Sequence, residues 1–139
     1  MEIYTQCILN PPDKESKRIR VSVMSRHTLN GGITPDTRIT PDLYDVHCPL
    51  LGPSSELIRA WYQIGKNPPP KISWEVFEMR YLEEIRSLKK AYLVKLLAYF
   101  ASRMNITLLC IEKSSKHCHR RLLAEECQRL QPSLEVIHR

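Results

Sequence analysis

The sequence predicts an α/β fold of three layers, a largely parallel sheet with helices on both faces. Three observations carry that expectation. Short apolar runs of strand length recur at 3–9, 19–24, 106–111 and 134–137. Between the second and third of these lie segments whose apolar residues repeat at helical spacing. The run at 106–111 is apolar throughout, as expected for a strand buried on both faces of a parallel sheet.

Taken in order, the strand at 3–9 alternates in character and ends in Asn10-Pro11-Pro12-Asp13, a turn cluster. The charged stretch 13–18 reads as an exposed connection. The second strand, IRVSVM at 19–24, again alternates. Residues 25–53 hold four prolines and the adjacent glycines Gly31 and Gly32, with little periodicity. A loop of that length is usually functional. A helix is predicted at 54–64, capped by Ser54 or Ser55 and stopped by Gly65. Lys66-Asn67-Pro68-Pro69-Pro70 must be extended. The next helix runs from an N-cap at Ser73 to about residue 87, with Trp74, Phe77, Tyr81 and Ile85 as its core stripe. A further helix covers 91–104 with Leu93, Leu96, Leu97, Phe100 and Met104 inward. The strand 106–111, a helix at 115–130 and a short strand at 134–137 complete a single domain over 1–139. Trp61 and Trp74 fall on apolar helix faces and are expected in the core, as are Cys7 and Cys127.

The bulk properties narrow the function classes. The chain is 42% hydrophobic and 26% charged, as globular proteins are. No apolar run approaches the roughly 18–20 residues needed to cross a bilayer, so no membrane partner is expected. The N-terminal MEIYTQCIL lacks the pattern of a secretory signal. Five cysteines at irregular spacing argue against a disulfide framework and for a reducing, cytoplasmic setting. A net charge of +6 and a pI near 9.2 suit a phosphate-bearing small molecule or nucleic acid as partner.

The chemistry concentrates in 106–130. Lys116, His117, Arg120 and Arg121 crowd the start of the last predicted helix, where the helix dipole is already positive. A bound anion would relieve that conflict. Ligands of open parallel sheets sit beyond the carboxyl ends of the strands. The segments Ser25-Arg26-His27 and Cys110-Ile111-Glu112 both follow predicted strand ends. If those strands are parallel neighbours, both segments and the helix start open on one crevice. Arg26, Arg120 and Ser25 are therefore the anion-binding candidates. Cys110 and Cys118 are the candidate thiols, because a cysteine beside a helix start and cationic side chains is readily ionised. His119 and Glu112 are the candidate proton carriers, with His117 a further one and Arg80 a possible inward clamp. A zinc reading would use Cys110, Cys118 and His119, with His47 and Cys48 from the long loop. Seven residues separate Cys110 from Cys118, unlike the tight spacing of zinc knuckles, so no metal is expected. No phosphate loop, dinucleotide fingerprint or nucleophile elbow occurs, and no cofactor is expected.

The segment TLLCIEKSSKHCHRRLLAEE closely resembles the C-terminal signature of the domain-of-unknown-function family numbered 488. There a strand ends in Cys, a Glu follows, and Cys-His-Arg-Arg opens a helix. The matching residues here are Cys110, Glu112, Cys118, His119, Arg120 and Arg121. LGPSSELIRAWY, ISWEVFEMRYLEEI and VSVMSRH are similar to earlier parts of the same family, so the resemblance spans most of the chain from residue 19. It implies a three-layer α/β domain and groups Cys110, Glu112 and Cys118 to Arg120 in one site, but it implies no particular reaction. The function expected is thus a cytoplasmic protein with an anion- or phosphate-binding, thiol-dependent catalytic pocket acting on nucleotides or nucleic acid. The alternatives are a non-catalytic nucleic-acid-binding module and a zinc-binding protein.

Overall fold

The computed structural model describes residues 1–29 and 32–139. Five strands, β1 (Glu2–Cys7), β2 (Ile19–Ser22), β5 (Val46–His47), β6 (Ile106–Cys110) and β7 (Glu135–His138), form one sheet in the order β5-β2-β6-β1-β7. Every pairing in it is parallel. The long segment after β2 carries a small antiparallel hairpin, β3 (Thr28–Leu29) with β4 (Thr34–Pro35). It then supplies the edge strand β5, too short for any periodicity to announce. Four helices follow in the expected places: α1 (Ser55–Tyr62), α2 (Trp74–Ile85), α3 (Ala91–Ala101) and α4 (His119–Leu130). None is long and apolar enough to cross a membrane.

Local chemistry explains the helix boundaries. Ser54 caps α1 by accepting the Leu57 amide at 3.2 Å, and its own amide and hydroxyl bind the Glu84 carboxylate of α2. Gln63 then turns left-handed, with φ of 56°. Ser73 caps α2 through the Val76 amide. The start of α4 is the notable departure. A helix is predicted from residue 115, yet helical geometry begins only at His119, with extended Cys118 as its N-cap. The preceding loop is held instead by Arg120, which donates to the carbonyls of Glu112 and Lys113.

The main core lies between the helices and one face of the sheet. All four helices contribute to it, through residues such as Leu57, Phe77, Leu97 and Leu123 against Ile3, Val21 and Leu108. The α2 stripe Trp74, Phe77, Tyr81 and Ile85 is buried as predicted. On α3 the inward face is rotated: Val94, Leu97, Ala98 and Ala101 are buried, while Leu96, Phe100 and Met104 are exposed. α3 packs against α4, and the two small alanines are fully buried in the same core.

The expectation of helices on both faces is not met among the described residues. The second cluster, Ile8, Leu43 and Leu109, draws on loops and a single 3-10 turn at Pro41–Leu43 and receives no side chain from the four α-helices. Arginines bind those loops to the sheet. Buried Arg20 donates to the Leu43 carbonyl, the Gln6 amide oxygen and the Asn10 carbonyl at 2.7–2.8 Å. Arg18 lies 3.6 Å over the Tyr4 ring and donates to the Glu2 and Ile106 carbonyls. Arg20 thus reaches from β2 to two carbonyls of irregular backbone, and Arg18 from the segment before β2 to two strand carbonyls, so both tie irregular chain to the sheet.

Candidate functional site

β2 and β6 are parallel neighbours with Ser22 opposite Leu109, so their carboxyl ends open on the same side. The chain leaving β2 carries Ser25 and Arg26. The chain leaving β6 carries Cys110, and α4 begins nearby at Cys118 and His119. A cavity of about 350 Å³ opens between these ends and α1. Arg26, Cys110, His117, Cys118 and His119 line it on one side. Trp61, Tyr62, Ile58 and Phe77 form its apolar wall.

Cys110, Cys118 and His119 form a compact, buried group at the closed end, their donor atoms all within 4.8 Å of one another. The His119 Nε2 lies 2.7 Å from the Val23 carbonyl, which can only accept, so Nε2 carries the proton. Nδ1 is thereby left with a free lone pair, 3.8 Å from the Cys110 sulfur. The Cys118 thiol and the backbone amides of Glu112 and Ile111 are the neighbours that favour charge on Cys110. These donors, with the Arg120 charge, outweigh burial and hold the Cys110 thiol below its ordinary pKa. Burial, together with the charge on Cys110, pushes Cys118 well above its own. Of the two thiols, Cys110 is thus the more readily ionised. Cys127, buried in the main core, is pushed up to about 12 by desolvation and is inert by comparison.

Arg120 occupies a different place from Arg26. It is fully buried behind the loop and does not line the cavity. Its Nη1 donates to the Glu112 carbonyl at 2.6 Å and toward the Cys118 sulfur at 3.6 Å. Nε has no partner. Arg120 therefore braces the loop between the two cysteines. Arg26 lines the cavity and lies against Gly32, where an added Cβ would sit 2.5 Å from its Nη1. Ser25 also lines the cavity, but its hydroxyl is committed to the Pro53 carbonyl. Gly52 admits that contact, because a Cβ there would meet the Ser25 backbone nitrogen at 2.5 Å.

Glu112 accepts from the Tyr62 hydroxyl at 2.5 Å. Burial and that carboxylate push the Tyr62 phenol above its ordinary pKa, so Tyr62 remains the donor. His117 is exposed at the rim and stacks on Trp74, ring centres 4.9 Å apart. Arg80 is exposed on α2 and Arg121 pairs with Glu125, so neither enters the cavity. The aromatic wall is what sequence reasoning missed. Trp61 and Phe77 carry the apolar helical spacing of ordinary core residues, and no local signal marks the part of such a stripe that faces a void.

The three donor atoms of Cys110, Cys118 and His119 are close enough together for a soft metal ion to bridge them, whatever their separation in sequence. His47 and Cys48 do not complete the set. His47 Nε2 donates to the Met24 carbonyl and its ring stacks on His27, while Cys48 packs against the main core.

The sequence model of a family described as "DUF488-N3a: Active DUF488-N3 subclade" matches residues 4–130. No curated protein and no solved structure matches the chain.

Proposed function

The chain belongs to the DUF488 family, and from that premise we propose that its cavity binds a phosphate-bearing ligand, a nucleotide or a nucleic-acid end, and acts on it through a thiol. Cys110 is the nucleophile, the more readily ionised of the two thiols. His119 is the proton carrier, through Nδ1. Arg26 binds the anionic group at the cavity wall. Arg120 and the Tyr62–Glu112 pair are positioning residues that hold the loop on which Cys110 and Cys118 sit. The observation that carries this reading is the Cys110 sulfur lining the cavity 3.8 Å from the unprotonated nitrogen of His119. A thiol beside a base in one pocket is the arrangement nucleophilic catalysis requires. The apolar wall supports it, since binding pockets are mostly apolar with a few placed polar groups.

The test is competitive alkylation with iodoacetamide, mapped by peptide. Cys110 is expected to react first among the cysteines, to be protected by inorganic phosphate, and to lose that protection in Arg26→Gln. A Cys110 no faster than the other thiols, or protection that ignores Arg26, would sink the proposal. Oligonucleotide binding that falls steeply with salt and is unchanged in Cys110→Ser would instead favour a non-catalytic nucleic-acid-binding module.

A further inference from the structure

Nucleophilic use of Cys110 leaves the second thiol unexplained. Cys118 lines the same cavity and belongs to one compact buried group with Cys110 and His119. A second buried thiol is not needed to hold the loop, since Arg120 already does that. Cys118 is held only by a long contact, its sulfur accepting from Arg120 Nη1 at 3.6 Å. As the N-cap of α4 it has extended dihedrals, φ −141° and ψ 139°, and its side chain makes no capping bond. A change in its side-chain torsion therefore gives up that long contact and no capping bond. The three donor atoms lie within 4.8 Å of one another, so modest rotation brings the sulfurs toward the roughly 2.05 Å of a disulfide. The neighbouring Cys7 is differently committed, its thiol donated to the Ile111 carbonyl at 3.4 Å.

We propose that Cys110 and Cys118 are a dithiol couple that reduces a small organic disulfide bound in this cavity, Cys110 attacking and Cys118 resolving. The inference rests on the thiol reading of the site given above and adds the class of co-reactant. The Cys110 thiolate attacks one sulfur of the disulfide RSSR. A Cys110–SR bond forms, the RS–SR bond breaks, and the first RS⁻ leaves with the bonding pair and takes a proton from water. The Cys118 thiol then passes its proton to His119 Nδ1 and attacks the Cys110 sulfur. The Cys110–Cys118 bond forms, the second RS⁻ leaves, and it takes the proton held by His119. The protein dithiol is oxidised by two electrons and the disulfide is reduced to two thiols. Apolar Trp61, Ile58 and Phe77 would contact the body of the ligand, and Arg26 an acidic group on it.

The experiment uses the full chain, reduced, desalted and mixed with glutathione disulfide or with uncharged hydroxyethyl disulfide, then acid-quenched for intact mass and peptide mapping. The wild type is expected to form the Cys110–Cys118 link with release of two thiols per chain. Cys118→Ser is expected to stop at a mixed disulfide on Cys110, and Cys110→Ser to yield neither product. Circular dichroism establishes that both variants are folded, with Cys118→Ala as the alternative. Formation of the link should outpace modification of Cys48, half-buried and not paired with a base, by about tenfold or more. A wild type that halts at a stable mixed disulfide on Cys110 overturns the couple and leaves the nucleophile standing. Cys110 inert to both reagents overturns both readings. One equivalent of zinc in the purified protein, lost in Cys118→Ser and shielding the thiols until chelated, would make them ligands and overturn the couple as well.

Discussion

Replacing Arg120 with Met separates a brace from a ligand-binding group. Met keeps much of the side-chain length and removes the guanidinium. The Glu112 carbonyl, bound at 2.6 Å, loses a charged donor, and the Lys113 carbonyl loses a long contact at 3.4 Å. Losing a hydrogen bond to a charged partner costs about 1.5–3 kcal/mol, and a buried acceptor left unpaired is costly in its own right. Against this, the fully buried cation no longer has to be desolvated, and its Nε has no partner to lose. The net destabilisation expected is about 2 kcal/mol, equivalent to a fall in melting temperature of roughly 6–8 °C for a chain of this size. The Arg120 charge also helps hold Cys110 below its ordinary pKa, so the pH profile of Cys110 alkylation should move upward in the variant. Thermal denaturation and alkylation between pH 5 and 9 give both readings, while phosphate protection of Cys110 should persist through Arg26. Stability within about 0.5 kcal/mol of wild type together with lost phosphate protection would refute the reasoning. It would show Arg120 gripping the ligand and not the loop.

Three further outcomes are expected. Glu126 is buried between Arg86 and Arg129, whose hydrogen bonds, Arg86 foremost, hold its carboxyl at about 2, below the usual 4.5. Its contribution is therefore full above about pH 5 and is lost as the pH falls toward 2. Because both arginines are half-exposed, about 2 kcal/mol is expected at pH 7. The stability gap between wild type and Glu126→Gln should close on acidification, and a gap that does not change with pH would contradict the assignment. Tyr81→Phe removes the buried donor to the Leu51 carbonyl at 2.6 Å and should cost about 1–3 kcal/mol in urea denaturation, with an unchanged m value. Gly52→Ala drives a methyl group into the Ser25 backbone, so it should cost about 1–3 kcal/mol and displace the loop bearing Arg26, weakening phosphate protection of Cys110. Wild-type protection in that variant would argue that Ser25 and Arg26 move independently.

Much of this architecture was legible in the residues. The apolar run at Ile106–Cys110 and the stripe Trp74, Phe77, Tyr81 and Ile85 announce a buried parallel strand and a core helix, and both are found. The sequence grouped Cys110, Cys118 and His119 with Arg26 only on the condition that β2 and β6 are parallel neighbours, and their carboxyl ends do meet at one cavity. The start of α4 was less legible. Ser114, Ser115, Lys116 and His117 suit a helix start as well as a loop, and a long-range brace from Arg120 decides between them. The inward face of α3 was misleading because hydrophobic periodicity rewards large residues, whereas close packing against α4 selected Ala98 and Ala101.

By itself the sequence determined most element types, the parallel sheet and the candidate site residues, because periodicity, caps and side-chain pKa tendencies act over a few residues. The tertiary structure alone decided which arginine faces the cavity, which face of the sheet the α-helices cover, and which of the two thiols is the more readily ionised. Those outcomes depend on where a guanidinium finds carbonyls, on desolvation, and on a histidine tautomer chosen by the Val23 carbonyl 96 positions away. Each is set by groups distant in sequence, and none leaves a trace in local pattern.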